Sequence, residues 1–158
     1  MHNVTNTNNI ETKLTQTRNK KYNYQQQMKS RKYKFAEKFN TLFEKKKLFM
    51  NPKLTIIDLA KEMGTNRTYI SDYLNKDLNT TFFDYVNQRR IQESELMLRT
   101  TKESLENISS QSGFNSPSTF RRAFMKKYNC TPGKYRIMYR KSQKENINDN
   151  NENATEAE

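Results

Sequence analysis

The chain has 158 residues, only 32% of them hydrophobic, with a formal net charge of +12 and an isoelectric point near 9.8. That length suits one modest domain, and so low an apolar fraction leaves part of the chain outside any core. A lone cysteine, Cys130, and a lone histidine, His2, exclude an internal disulfide and a multi-cysteine zinc site, so neither metal nor cofactor is expected. No apolar run reaches the ~20 residues that span a bilayer, and no signal-peptide core is seen, so the expected compartment is the cytoplasm.

Residues 1–34 carry eight basic side chains against one acid, Glu11, in a background of Asn, Thr, Gln and Lys. Apolar material this sparse does not offset the entropy of ordering, so the segment reads as a disordered arm or linker, helical at most towards its end. A domain is expected over residues 35–140. Phe35, Phe39, Leu42, Phe43 and Leu48 follow helical spacing, and Asn51-Pro52 interrupts it. Thr55 with Asp58 three residues on is a capping box for a second helix through Ile56, Leu59, Ala60 and Met63, which Gly64 ends. Asn66 caps a third helix to about Asn75, with Ile70, Tyr73 and Leu74 facing inward. Thr81 with Asp84 opens a long helix to about Arg99. Ser104 caps a fifth, to Ser112 and Gly113. Ser116-Pro117 places a cap before a first-turn proline and starts a sixth to about Tyr128, and Thr131-Pro132 repeats the device for a short seventh. Residues 141–158 form an acidic polar tail, read as disordered. No segment alternates with a period of two, so the fold class is all-α, about seven helices.

The pattern contains a repeat. Leu59-Ala60 followed by Gly64 parallels Ile108-Ser109 followed by Gly113, and Asn66 and Ser116 are matching caps with Ile70 and Phe120 four residues beyond. Two helices that cross steeply need a small residue near the contact and a glycine at the turn. The expected architecture is therefore two helix-turn-helix subdomains, 54–76 and 104–128, joined by the connecting helix 81–99 and closed by 131–140.

At these residues the chain resembles the DNA-binding domain of the AraC/XylS family of transcription regulators. The strongest match is Gly113-Phe114, Ser116, Phe120, Phe124 and Pro132…Tyr135-Arg136; the first half matches through Leu59-Ala60, Gly64, Tyr69-Ile70-Ser71 and Tyr85…Arg90-Ile91. Asn79 and Asn129 stand where the family usually has glycine, and asparagine is the next-best residue for a left-handed backbone. Ser94 and Ser109 replace common alanines, and Leu74 a common phenylalanine. Residues 1–34 are too short and too polar to be the ligand-binding domain that most members carry.

The resemblance implies that each second helix enters a major groove. On the third helix the outward face is Arg67, Thr68, Ser71, Asp72 and Asn75, and the family match puts base reading on Thr68, Ser71 and Asp72. Asp72 either accepts from cytosine or merely orients Arg67 or Lys76. On the sixth helix the outward face is Pro117, Ser118, Arg121, Arg122 and Met125. Pro117, Ser118, Arg121 and Arg122 are expected to read bases, each arginine either pairing with guanine for ~1–3 kcal/mol of discrimination or touching phosphate only. Expected phosphate contacts are Arg67, Asn75, Arg90, Ser116, Lys126, Lys127, Lys134 and Arg136; for Arg90 an internal ion pair is the alternative. Residues 100–140 hold eight basic and two acidic side chains, whereas 35–99 hold eleven and nine, so the second half should dominate charge-driven binding. Cys130 reads as a small packed hydrophobe.

The expected partner is double-stranded DNA, bound by a monomer or weak dimer, with RNA polymerase a second candidate and no membrane. RNA binding is the competing reading, but Tyr69, Tyr73, Tyr85, Tyr128 and Tyr135 fall at positions expected to pack rather than to stack on bases. A protein-interaction module would need an exposed apolar patch, and an enzyme would need clustered catalytic side chains, of which this sequence offers none.

Overall fold

In a computed structural model the backbone is described over residues 4–155 and side chains over residues 13–145. The described residues form seven α-helices and no strand: α1 Val4–Glu44, α2 Ile56–Met63, α3 Arg67–Asp72, α4 Phe82–Thr100, α5 Leu105–Gln111, α6 Pro117–Tyr128 and α7 Pro132–Thr155. The chain divides into two compact units, residues 1–45 and 46–158.

The first unit is α1. It differs from the disordered arm expected of residues 1–34, since the helix already runs from Val4. The segment carries no proline or glycine, and its Lys, Gln and Arg are good helix formers, so nothing local breaks the helix. The sequence reading does hold in one respect: every side chain from residue 13 to 34 is exposed, so this stretch adds nothing to a core.

In the second unit, the helix ends fall where the polar punctuation puts them. Thr55 Oγ1 accepts the Asp58 N–H at 3.2 Å while Asp58 accepts the Thr55 N–H at 2.9 Å, the reciprocal capping box. Hydrogen bonding from Thr55 holds the Asp58 carboxyl below its ordinary pKa. Asn66, Thr81, Ser104 and Ser116 each accept the N–H three residues on. Asn79 (φ 49°) and Asn129 (φ 54°) take the left-handed backbone expected of them. One detail departs from expectation. After Asp72, α3 widens into a π-turn over Tyr73–Asp77, closed by Leu78 N–H donating to the Tyr73 carbonyl at 3.3 Å. Tyr73 and Leu74 are buried within it.

Ile91 and Leu98 of α4, Ile108 of α5, Phe114, and Phe120 and Phe124 of α6 form one apolar cluster. Tyr128 and Tyr135 close it, with ring centroids 4.7 and 5.4 Å from Phe124. Tyr135 donates its hydroxyl to Glu95 at 2.6 Å, so α7 is pinned to α4; burial, then Glu95, pushes the Tyr135 phenol up. α7 also continues to Thr155 instead of ending near residue 140, since no proline or glycine interrupts residues 134–155. The two serines that replace family alanines fare differently. Ser94 donates to the Ile91 carbonyl at 2.8 Å, whereas the buried Ser109 Oγ has no partner among the described residues. A Ser109→Ala variant is therefore expected to gain roughly 1 kcal/mol, seen as a higher urea midpoint; a lower midpoint would mean the hydroxyl has a partner after all.

A short 3-10 turn, Leu48–Met50, packs within the second unit. Lys47 Nζ reaches both carboxylate oxygens of Glu93 on α4, at 2.7 and 2.9 Å. Arg90, also on α4, donates from Nε to the Phe49 carbonyl at 2.8 Å and from Nη2 to the Asn51 carbonyl at 2.9 Å. Gly113, at the turn between α5 and α6, presses on the same backbone: a Cβ there would lie 2.5 Å from Phe49 O and 2.8 Å from Met50 Cα. The turn that leads into the first helix pair is thus locked to the connecting helix and to the turn of the second pair.

Candidate nucleic-acid interface

The second helix of each pair buries one side and offers the other to solvent. On α3, Ile70 and the following Tyr73 and Leu74 are buried, which leaves Arg67, Thr68, Ser71, Asp72 and Asn75 on the opposite side by helical spacing. All are exposed except Ser71, which is half-buried. Asp72 is paired with Lys76 Nζ at 2.8 Å, one of the two partners weighed for it, and Asn75 donates to Ser71 Oγ at 3.4 Å. The Asp72–Lys76 pair is solvent-exposed, so it holds little energy and opens readily. Tyr69 does not pack as expected. It is 49% exposed, because it precedes Ile70 by one residue, a 100° step off the buried line. It is a polar, aromatic surface residue that the sequence reading assigned to the core.

On α6, Phe120 and Phe124 are buried and Ala123 half-buried, while Pro117, Ser118, Arg121, Arg122 and Met125 are exposed, as the periodicity implied. Ser116 spends its hydroxyl on the cap, accepting the Thr119 N–H at 3.2 Å and sharing a hydrogen bond with Thr119 Oγ1 at 3.0 Å. Lys126, Lys127 and Lys134 are exposed. Cys130 is half-buried.

Two of the arginines expected on phosphate are occupied elsewhere. Arg90 is 8% exposed and donates to two main-chain carbonyls, and no acid pairs with it among the described residues. Burial lowers the pKa of its guanidinium. A carbonyl-rich turn satisfies the N–H donors of a buried guanidinium without cancelling its charge, and spacing alone did not reveal that turn. Arg136 is half-buried, donates from Nη2 to the Glu103 carbonyl at 2.7 Å, and leaves its Nε buried without a partner among the described residues. Burial, with Arg140 nearby, lowers its pKa. Both arginines hold helices in place.

Between the two helix pairs lies a groove of about 1040 Å³. One wall is α6, with Arg122, Lys126 and Lys127; the other is the end of the first pair, with Asn75 and Asn79; the start of α4 forms the floor. Lys126 Nζ lies 3.6 Å from Asp84 of α4 across it.

The helix-turn-helix domain family matches residues 59–138. The uncharacterized HTH-type transcriptional regulator YdeC of Bacillus subtilis is 37% identical over 86 residues, which cover 54% of this chain and 30% of that protein. The C-terminal domain of the two-component response regulator yesN from Fusobacterium nucleatum superposes with a TM-score of 0.58 at 28% identity, covering 64% of this chain and 96% of that domain. The DNA-binding domain of AdpA, solved with a target DNA, superposes at 0.61 with 19% identity over 68% and 94% of the two chains, a likeness of fold. The chain spans only 6% to 30% of the length of the first curated relatives it matches.

Proposed function

Because the chain belongs to the helix-turn-helix family of AraC-type DNA-binding domains, we propose that it is a sequence-specific transcription regulator whose α3 and α6 read successive major-groove segments of duplex DNA. The observation that carries this reading is the paired exposure on α3 and α6. Each is buried along one side and polar or basic along the other, and α6 packs on the connecting helix α4. A stiff connector lets two recognition helices meet one face of the duplex about one helical turn apart, ~34 Å.

Thr68, Ser71 and Asp72 on α3, and Pro117, Ser118, Arg121 and Arg122 on α6, are the base-reading side chains. Arg67, Asn75, Lys126, Lys127 and Lys134 carry the phosphate contacts, with Ser116 at the α6 cap beside them. One chain carries both reading helices, so it binds an asymmetric site as a monomer or weak dimer. The partner is cytoplasmic chromosomal DNA, with RNA polymerase a second partner, and the function is binding rather than turnover.

Selection of random duplexes by the wild-type protein should recover a site with two conserved blocks about a helical turn apart. An Arg121→Ala, Arg122→Ala variant should lose the block read by α6 and keep the other. Recovery of no sequence, with binding that disappears as salt rises, would reduce the protein to a non-specific nucleic-acid binder.

A further inference from the structure

The groove between the two helix pairs lies beside the base-reading faces and shares only Arg122 with the one on α6. We propose that it seats the phosphate backbone of the DNA segment between the two base-read blocks, so that the protein senses the spacer as well as the blocks; this rests on the two-block reading above. When two helices occupy successive major grooves on one face, the intervening minor groove and its flanking phosphates face whatever joins them. The groove is that joining surface, walled by the end of the first helix pair and by α6, with the start of α4 beneath.

Its chemistry matches a phosphodiester chain. Arg122, Lys126 and Lys127 supply three cations along α6. Its one acid, Asp84, lies 3.6 Å from Lys126 Nζ and accepts the Thr81 hydroxyl at 2.8 Å, so the lining keeps an excess of positive charge. Neutral donors complete the lining: Asn79, Gln88 and Asn87. Asn87 lines the floor with 9% of its surface exposed. Amides, hydroxyls and cations of this kind position a backbone without reading bases. A protein that holds the spacer backbone favours spacer sequences whose shape brings those phosphates within reach.

The test uses the full chain and the duplex recovered by selection, with pairs of spacer phosphates replaced by neutral methylphosphonates and both blocks unchanged. Wild-type affinity is expected to fall at least ~10-fold on the neutralised duplex, and the slope of log K against log salt to shrink by ~0.9 for each phosphate lost. Gln88→Glu, an exposed substitution that adds a negative charge to the groove, should weaken binding to the unmodified duplex several-fold and leave binding to the neutralised one unchanged. Equal wild-type affinity for the two duplexes overturns the assignment and leaves the two-block reading standing. So does tight binding of inorganic phosphate that does not compete with DNA, since the groove would then hold a small anion.

Discussion

A Gly113→Ala variant is expected to lose about 3 kcal/mol or more of stability, the sum of a strained backbone and an overpacked contact. Gly113 has φ +90°, a conformation that residues with a Cβ rarely adopt, and the added carbon would sit 2.5 Å from Phe49 O. The atoms it would meet are backbone, and Arg90 holds that backbone by two hydrogen bonds, so the turn has little freedom to retreat. Gly133→Ala is the control: its Cβ would meet only Leu105 Cδ1 at 3.7 Å, ordinary contact, and the change should stay within about 1 kcal/mol. Urea unfolding monitored by circular dichroism measures both. A Gly113→Ala midpoint indistinguishable from wild type would show that the Leu48–Met50 turn is not pressed against the second helix pair.

Arg90→Met is expected to cost about 3 kcal/mol, because it removes two hydrogen bonds that a charged donor makes to main-chain carbonyls. Arg90→Lys should recover only part of that loss, since one ammonium cannot reproduce the guanidinium fork that spans two carbonyls. Salt dependence separates this role from the phosphate contact expected from the sequence. Removing a phosphate contact lowers the slope of log K against log salt by about 1, whereas removing an internal clamp leaves the slope of the folded fraction unchanged. Unaltered stability with a shallower slope would return Arg90 to the DNA. The same contrast applies, more weakly, to Arg136, whose Nη2 is held by the Glu103 carbonyl.

Much of the helix geometry was legible in the sequence, because it rests on local rules. Helix starts follow from a hydroxyl or amide that satisfies an otherwise unpaired N–H: Thr55, Asn66, Thr81, Ser104 and Ser116 all do this where expected. Buried and exposed faces follow from the 3.6-residue period, which placed Phe120 and Phe124 inside and Ser118, Arg121 and Arg122 outside. The asparagines at 79 and 129 signalled left-handed turns through their own conformational preference.

What only the tertiary structure decided is where long side chains end. Arg90 and Arg136 looked like cations for DNA because charge is visible in a sequence, but each finds a main-chain carbonyl thirty or more residues away. Tyr69 looked like core because aromatic residues usually pack, yet its place at the edge of a narrow buried face leaves it half-exposed. The groove between the helix pairs gathers residues from 75 to 127 that no spacing rule connects. Caps, turns and helix faces are set by neighbours within four residues, so the sequence alone determined them. The partners of a guanidinium, the burial of a ring and the walls of a groove depend on how separate helices are brought together, and that is decided by packing.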